Sequence, residues 1–210
     1  LLPFACQPKS NNPIELDTAR LDGVCFAGAY YDKYPDRNAN FNSMIDHLKD
    51  FKKIDIFDRN YGKEMPGYMF PKEYQELIKG TLPFEQIDRA YKGYNYSINL
   101  NSVKNSQTMF ARRAYELLAS NTLVLSNFSK GLRLMFGELV ACSDSGELIA
   151  DKVKQFDGNP LYKDKIRLLG LRKTLEQHTY KDRLRFIIEK LKNITLTKNS
   201  ISISVIAFTR

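Results

Sequence analysis

Cysteine is scarce: the 210-residue chain has three, Cys6, Cys25 and Cys142, far apart and in no CxxC spacing. An odd count without paired spacing argues against a disulfide framework and against a cysteine-held zinc site. Buried, reduced thiols in a cytoplasmic protein are the expectation. Histidine is scarcer still, with only His47 and His178, which excludes a histidine-rich metal centre. No run of 18 apolar residues occurs, so no transmembrane helix is expected. The GxGxxG dinucleotide fingerprint is missing. Repeats and low-complexity segments are missing too. The opening "LLPFACQPKSNNPI" has neither an initiator Met nor a charged-then-apolar leader, and reads as a cut from within a longer chain.

What is present is ordinary for a globular protein: 43% apolar and 27% charged residues. The length suits one domain, with or without an appendage. The net charge of +8 favours an anionic partner. The basic residues are dispersed, with no Lys/Arg run interleaved with aromatics, so a nucleic acid is not the expected partner.

Apolar periodicity sets out the elements. "GVCFAG" (23–28) reads as a buried strand. "NANFNSMIDHLKDF" (38–51) places Phe41, Met44, Ile45, Leu48 and Phe51 at helical spacing, and "KIDIFD" (53–58) alternates like a strand. Such a strand–helix–strand unit closes into a parallel sheet. A Gly-, Pro- and Tyr-rich loop follows, with a short helix near 72–78. Next, 80–93 gives a turn and then a helix with Pro83 near its start, and 94–101 a strand. A helix from about 108, a strand at 122–126, a short helix at 130–136 and a strand at 138–143 continue the alternation. Helices at 145–156, 159–177 and 179–192 close it, the last opened by a capping box of Thr179 and Asp182. The expected fold is a Rossmann-like, doubly wound α/β sheet of about five or six parallel strands with flanking helices. It spans residues 1–192. The tail 193–210 alternates like a strand and reads as an edge strand or the start of a following domain.

Ligands of such sheets lie beyond the carboxyl ends of the strands. Three loops qualify. In "GAYYDKYPDR", Gly28 would let backbone approach a ligand, and Lys33 and Arg37 could pair with phosphate; a plain turn with solvated charges is the other reading. In "NLNSVKNSQTMFARR", a helix starting near Thr108 would present amides from Thr108 to Ala111 to an anion. Ser106 or Thr108 could equally be a cap. Arg112 and Arg113 precede Glu116 by one turn, which is an intrahelical ion pair or a diphosphate and ribose-diol site. In "SNFSKGLRLMF", the polar turn Asn127–Gly131, with Lys130, is a generic loop or a second wall of the same crevice. Asp55 and Asp58 need not form an acid/base pair. Nothing places Cys142 beside a histidine, and His178 reads as structural.

One run carries a family resemblance. "RRAYELLASNTLVLSNFSKGLRLMFGE" resembles the C-terminal half of GT-B glycosyltransferases, in the spore-maturation-like, glycosyl-transferases-group-1-like group. The pattern R-x-[FY]-E-x-x-A-x-x-x-x-[LV] appears as Arg113, Tyr115, Glu116 and Ala119 followed by "TLVLS". "LPFACQP", "VCFAGAYYDKYPDR", "GTLPFEQIDRAYKGYNYSINLN" and "LRKTLEQHTYKDRL" support it, so that it covers about residues 1–192. The resemblance implies a Rossmann-like domain that binds a nucleotide-sugar donor, with Glu116 on the ribose. It puts the diphosphate against Gly28 and the amides of Met109, Phe110 and Ala111, and the 80–83 loop beside the base. It implies metal-independent transfer to a glycan or protein acceptor, for a surface polysaccharide or glycoprotein, with no cofactor. The remaining domains of the parent enzyme would be partners, and this portion alone would transfer little. Thr108 stands eight residues before Glu116, where many retaining relatives have the first Glu of an E-x7-E motif. The catalytic residue is left unassigned. The other class of function is a Rossmann-like interaction module without catalysis.

Overall fold

The structure, a computed structural model, describes residues 2–63 and 65–196. The expectation for the tail falls on 193–210, and 197–210 lie outside the described residues. Five described strands form one parallel sheet: β1 (Leu21–Gly28), β2 (Lys53–Asp58), β3 (Tyr94–Asn99), β4 (Leu123–Ser126) and β5 (Ala141–Cys142). Their order is β2-β1-β3-β4-β5, with every pairing parallel. The doubly wound α/β architecture is therefore as expected. The order reverses between β1 and β3, which makes that gap the topological switch point.

Strand alternation divides the core. Val24 and Phe26 face one layer, where Phe41, Met44, Ile45 and Leu48 of α1 (Pro35–Leu48) pack with Ile149, Val153 and Phe156 of α5 (Gly146–Gly158). Cys25 and Ala27 face the other, with α2 (Asp88–Lys92), α3 (Arg113–Ala119) and α4 (Lys130–Phe136). α6 (Pro160–Gln177) joins the two: Ile166 enters the first layer, and Gly170 lies so close to Leu118 of α3 that a Cβ would sit 2.8 Å from Leu118 Cδ2. α7 (Tyr180–Lys192) carries the expected capping box, with the Thr179 hydroxyl accepting from the Asp182 amide and the Asp182 carboxylate accepting from the Thr179 amide.

Three boundaries moved. α1 begins at Pro35, because proline has the φ for a first helical turn and needs no amide partner there. The turn and then helix expected over 80–93 are present, but the helical part after Pro83 starts as a 3-10 turn, Phe84–Gln86, and only the short α2 is α-helical. α3 begins at Arg113, not near 108. The Ser106 hydroxyl accepts from the amides of Thr108 and Met109, at 3.3 and 3.0 Å, and the Asn101 side chain accepts from the Ala111 amide at 2.8 Å. Side chains thus take the donors that a helix would have used. Asn121, at φ 56°, ends the turn after α3 in the left-handed region that asparagine tolerates.

The amino-terminal segment is tied to the α6–α7 junction. The Cys6 amide donates to the His178 carbonyl at 2.9 Å, the Tyr180 amide to the Cys6 carbonyl at 3.1 Å, and Arg183 to the carbonyls of Pro3 and Phe4. His178 sits beneath this strap against the rings of Tyr115 and Phe136, at centroid distances of 5.5 and 5.4 Å. Burial, with the Arg183 charge beside it, lowers its pKa from 6.5 to about 4. A histidine held neutral in the fold and free to charge when unfolded makes stability fall as pH drops from 6.5 toward 4. The full window is worth roughly 3 kcal/mol. Urea midpoints measured between pH 7 and pH 4 should show this slope, and His178→Gln should flatten it. An unchanged slope in the variant would assign the acid sensitivity elsewhere.

Candidate functional site

The carboxyl ends of β1 and β3 part at the switch point, and an open crevice lies over the gap. One cavity there, of about 380 Å³, is lined by Phe4, Ala29, Arg37, Arg59, Tyr91, Ser102, Ala111, Arg112, Arg113 and Glu116 among others. A second, of about 300 Å³, is lined by Lys33 to Arg37 and by Asn101, Ser102, Lys104 and Asn105. Arg37 and Ser102 belong to both, so the two are adjoining parts of one crevice.

Its floor is a buried amide network. The Asn101 amide donates to Asn127 Oδ1 at 2.8 Å, and Asn127 Nδ2 returns a bond to the Asn101 carbonyl at 2.9 Å. Asn99 and Asn101 both donate to the Ser126 hydroxyl, at 3.1 and 3.0 Å. These bonds lock the ends of β3 and β4 together, so the loop above starts from a fixed point.

Two arginines dominate the charge. Arg37 is only 7% exposed, held by a bond to the Ala29 carbonyl at 3.1 Å and lying 5.0 Å over the Tyr31 ring. Burial, with the Arg113 charge beside it, lowers its pKa to about 10. Arg113 lies 5.7 Å over the Phe26 ring, and its Nε is buried with no hydrogen-bond partner. Among the described residues, no carboxylate within ion-pair distance serves either guanidinium. A buried guanidinium beside a second, half-buried one, neither with an ion-pair partner, is an unfavourable pair of like charges that suits an anion in the crevice.

Glu116 is differently placed. Its Oε1 takes the Arg112 Nε at 2.7 Å and its Oε2 the Tyr91 hydroxyl at 3.0 Å, with the side chain 14% exposed. It is the carboxylate in the larger cavity.

Of the residues singled out in the sequence, Arg37, Arg113 and Glu116 meet in the larger cavity, and Lys33 lines the smaller one. Gly28 is buried in β1 and lines neither; a Cβ there would lie 2.7 Å from the Phe26 ring, so the glycine makes room for Phe26. Because α3 starts late, Thr108, Met109 and Phe110 open no helix. Thr108 and Met109 stand exposed on the loop, and Phe110 is buried against Tyr115, at 5.1 Å between centroids. Lys130 begins α4, is exposed and lines neither cavity, with its amide bonded to the Lys104 carbonyl at 2.7 Å. Sequence reasoning missed Arg59, Tyr91, Asn101 and Phe4. Arg59 and Asn101 follow strand ends, a signal that was available. Tyr91 and Phe4 arrive through tertiary packing and left none. Among the described residues, no three His, Cys, Asp or Glu side chains converge as a metal site, and no helix is long and apolar enough to cross a membrane.

A five-stranded parallel Rossmann-like sheet with this crevice at its switch point is the architecture of GT-B glycosyltransferases, and the comparisons with known proteins agree. Residues 37–189 match the model of one family, and the chain belongs to that glycosyl transferase-like family. No curated protein matches it by sequence. Among solved structures, it is similar to sucrose-phosphate synthase from Thermosynechococcus elongatus, with a TM-score of 0.67 and 11% identity over 91% of this chain and 51% of that one. A glycosyltransferase from Rickettsia africae gives 0.66 and 15%, over 91% and 56%. A pneumococcal O-GlcNAc transferase in complex with UDP and GlcNAc gives 0.58 and 12%, over 91% and 38%. At these identities the likeness concerns the fold, and the chain spans about half the length of the first two.

Proposed function

We propose that the crevice binds the nucleoside diphosphate of a nucleotide-sugar donor, and that this domain is the donor half of an enzyme that moves the sugar to a glycan or protein acceptor. The observation that carries the reading is the pair of arginines without an ion-pair partner, the buried Arg37 and the half-buried Arg113, in the same cavity as Glu116. A diphosphate supplies the missing negative charge. As the bond from the anomeric carbon to the diphosphate oxygen breaks, charge builds on that oxygen, and guanidiniums already in place stabilise it without reorganisation. Lys33 adds charge at the mouth of the smaller cavity. Glu116 accepts the ribose hydroxyls. In this scheme the arginines neutralise the leaving group and no metal is required. The neighbours that are sugar-transferring enzymes, one of them holding UDP and GlcNAc, point the same way.

Thermal-shift titrations with UDP, GDP and dTDP examine this directly, since a ligand that binds only the native state raises its melting temperature. At least one should raise it. Glu116→Ala removes two charge-assisted hydrogen bonds to the ribose and should weaken that ligand by about 10- to 100-fold. Unchanged affinity in the variant would remove Glu116 from the site.

A further inference from the structure

We infer that Tyr91 and Arg112 are positioning residues that clamp the Glu116 carboxylate so that it selects a ribonucleoside diphosphate over its 2′-deoxy counterpart. The inference rests on the donor reading and names the nucleoside class within it.

A carboxylate has about four lone-pair sites, two on each oxygen. Here each oxygen already accepts one protein hydrogen bond, Oε1 from Arg112 at 2.7 Å and Oε2 from Tyr91 at 3.0 Å. What remains is one acceptor site on each of two adjacent oxygens. A vicinal diol brings two O–H donors to fill both; a 2′-deoxyribose brings one.

The clamp matters because a free Glu side chain has three torsions and could turn its remaining capacity toward water. This one cannot turn freely. Tyr91 is 5% exposed, and its carbonyl accepts from the Thr122 hydroxyl at the start of β4, which fixes the position of the ring. Burial pushes its phenol up to about 12, so it stays protonated and remains a donor. The Tyr180 side chain at the start of α7 also interacts with the Arg112 guanidinium. A deoxy ligand therefore leaves one nearly buried carboxylate oxygen short of a partner, and sites built around a hydroxyl discriminate strongly against analogues that lack it.

The experiment is calorimetry on the whole chain with UDP against 2′-deoxyuridine 5′-diphosphate, GDP against its 2′-deoxy form, and inorganic pyrophosphate. The wild-type protein should prefer the ribo form by at least about 10-fold. Tyr91→Phe should reduce that preference to about twofold by weakening the ribo form more than the deoxy form, and pyrophosphate titrated on the same variant separates this from a general loss of anion binding. Arg112→Met, at a half-exposed side chain, is the second variant should Tyr91→Phe unfold the domain, and should act in the same direction. Equal affinity for both members of each pair, or a preference untouched by both variants, overturns the clamp while leaving the diphosphate site standing. Failure of every ribonucleotide and of pyrophosphate to bind overturns the donor reading and the clamp together.

Discussion

Arg113→Met is expected to abolish most nucleotide binding while leaving the domain as stable as before, or more so. The two halves of this outcome come from one arrangement. Arg113 and Arg37 repel each other inside the crevice, and Arg113 Nε has no partner there. Methionine fills much of the same space and removes the guanidinium that lies 5.7 Å over the Phe26 ring. In the empty protein the change relieves repulsion, so the melting temperature should hold or rise by a few degrees at low salt. With a diphosphate bound, two charge-assisted hydrogen bonds disappear, a loss of about 100-fold or more in affinity for UDP or GDP. Arg37→Met should repeat the affinity loss. The double variant should lose less than the sum, because both side chains serve one group. Calorimetry paired with melting curves separates the outcomes. A variant that melts early and binds weakly would mean that Arg113 is chiefly structural.

The largest stability effect is expected at Gly146. It follows the Ser145 cap of α5 and presses against α1. A Cβ placed there would lie 2.1 Å from the Ser43 carbonyl oxygen and 2.4 Å from its carbon. Both are backbone atoms of a helix and cannot swing aside as a side-chain tip could. The Gly146 amide also donates to the Ser43 hydroxyl at 3.1 Å, which fixes the approach. Gly146→Ala must push α5 away from α1 and open the layer containing Ile149, Val153 and Phe156. A loss of about 3 kcal/mol follows, or roughly 6–12 °C in melting temperature for a domain of this size. Gly158, at the other end of the same helix, has nothing within 4 Å of its Cβ position. Gly158→Ala should be near neutral and is the matched control. Equal effects at the two glycines would show that the α1–α5 contact is not a close one.

Much of this was legible in the sequence. The strands are short apolar runs with little competing structure, and α1 announces itself through Phe41, Met44, Ile45 and Leu48. The capping box at Thr179 was visible because it is a local device. Arg37, Arg113 and Glu116 could be found because each stands just beyond a strand's carboxyl end or one turn further. The errors also share a physical origin. "TMFA" has helix-compatible spacing, but side chains from Ser106 and Asn101 took its amides, and Phe110 turned into the core beside Tyr115. The expected roles of Thr108, Met109 and Phe110 depended on that helix start. Gly28 lies where a phosphate-binding glycine would, yet the space it frees is filled by a ring two residues earlier. Tyr91 was unreadable because its reach to Glu116 depends on how α2 sits against α3, and no local pattern encodes that.

The segment above the crevice has one more consequence. It leaves the fold at Asn101, whose side chain also receives the chain's return at the Ala111 amide, and Phe110 anchors that return in the core. Between these ends, residues 102–109 are mostly exposed, and Lys104 ties the segment to the rest of the domain, its ammonium to Asp144 before α5 and its carbonyl to the Lys130 amide of α4. Arg113 and Glu116 start after the return point, so the proposed phosphate and ribose contacts do not depend on the length of what precedes them. Lengthening such a loop raises its closure entropy only slowly. On the donor reading, the domain thus separates the residues proposed to hold the nucleotide from a loop whose exposed positions within 102–109 can change without moving them.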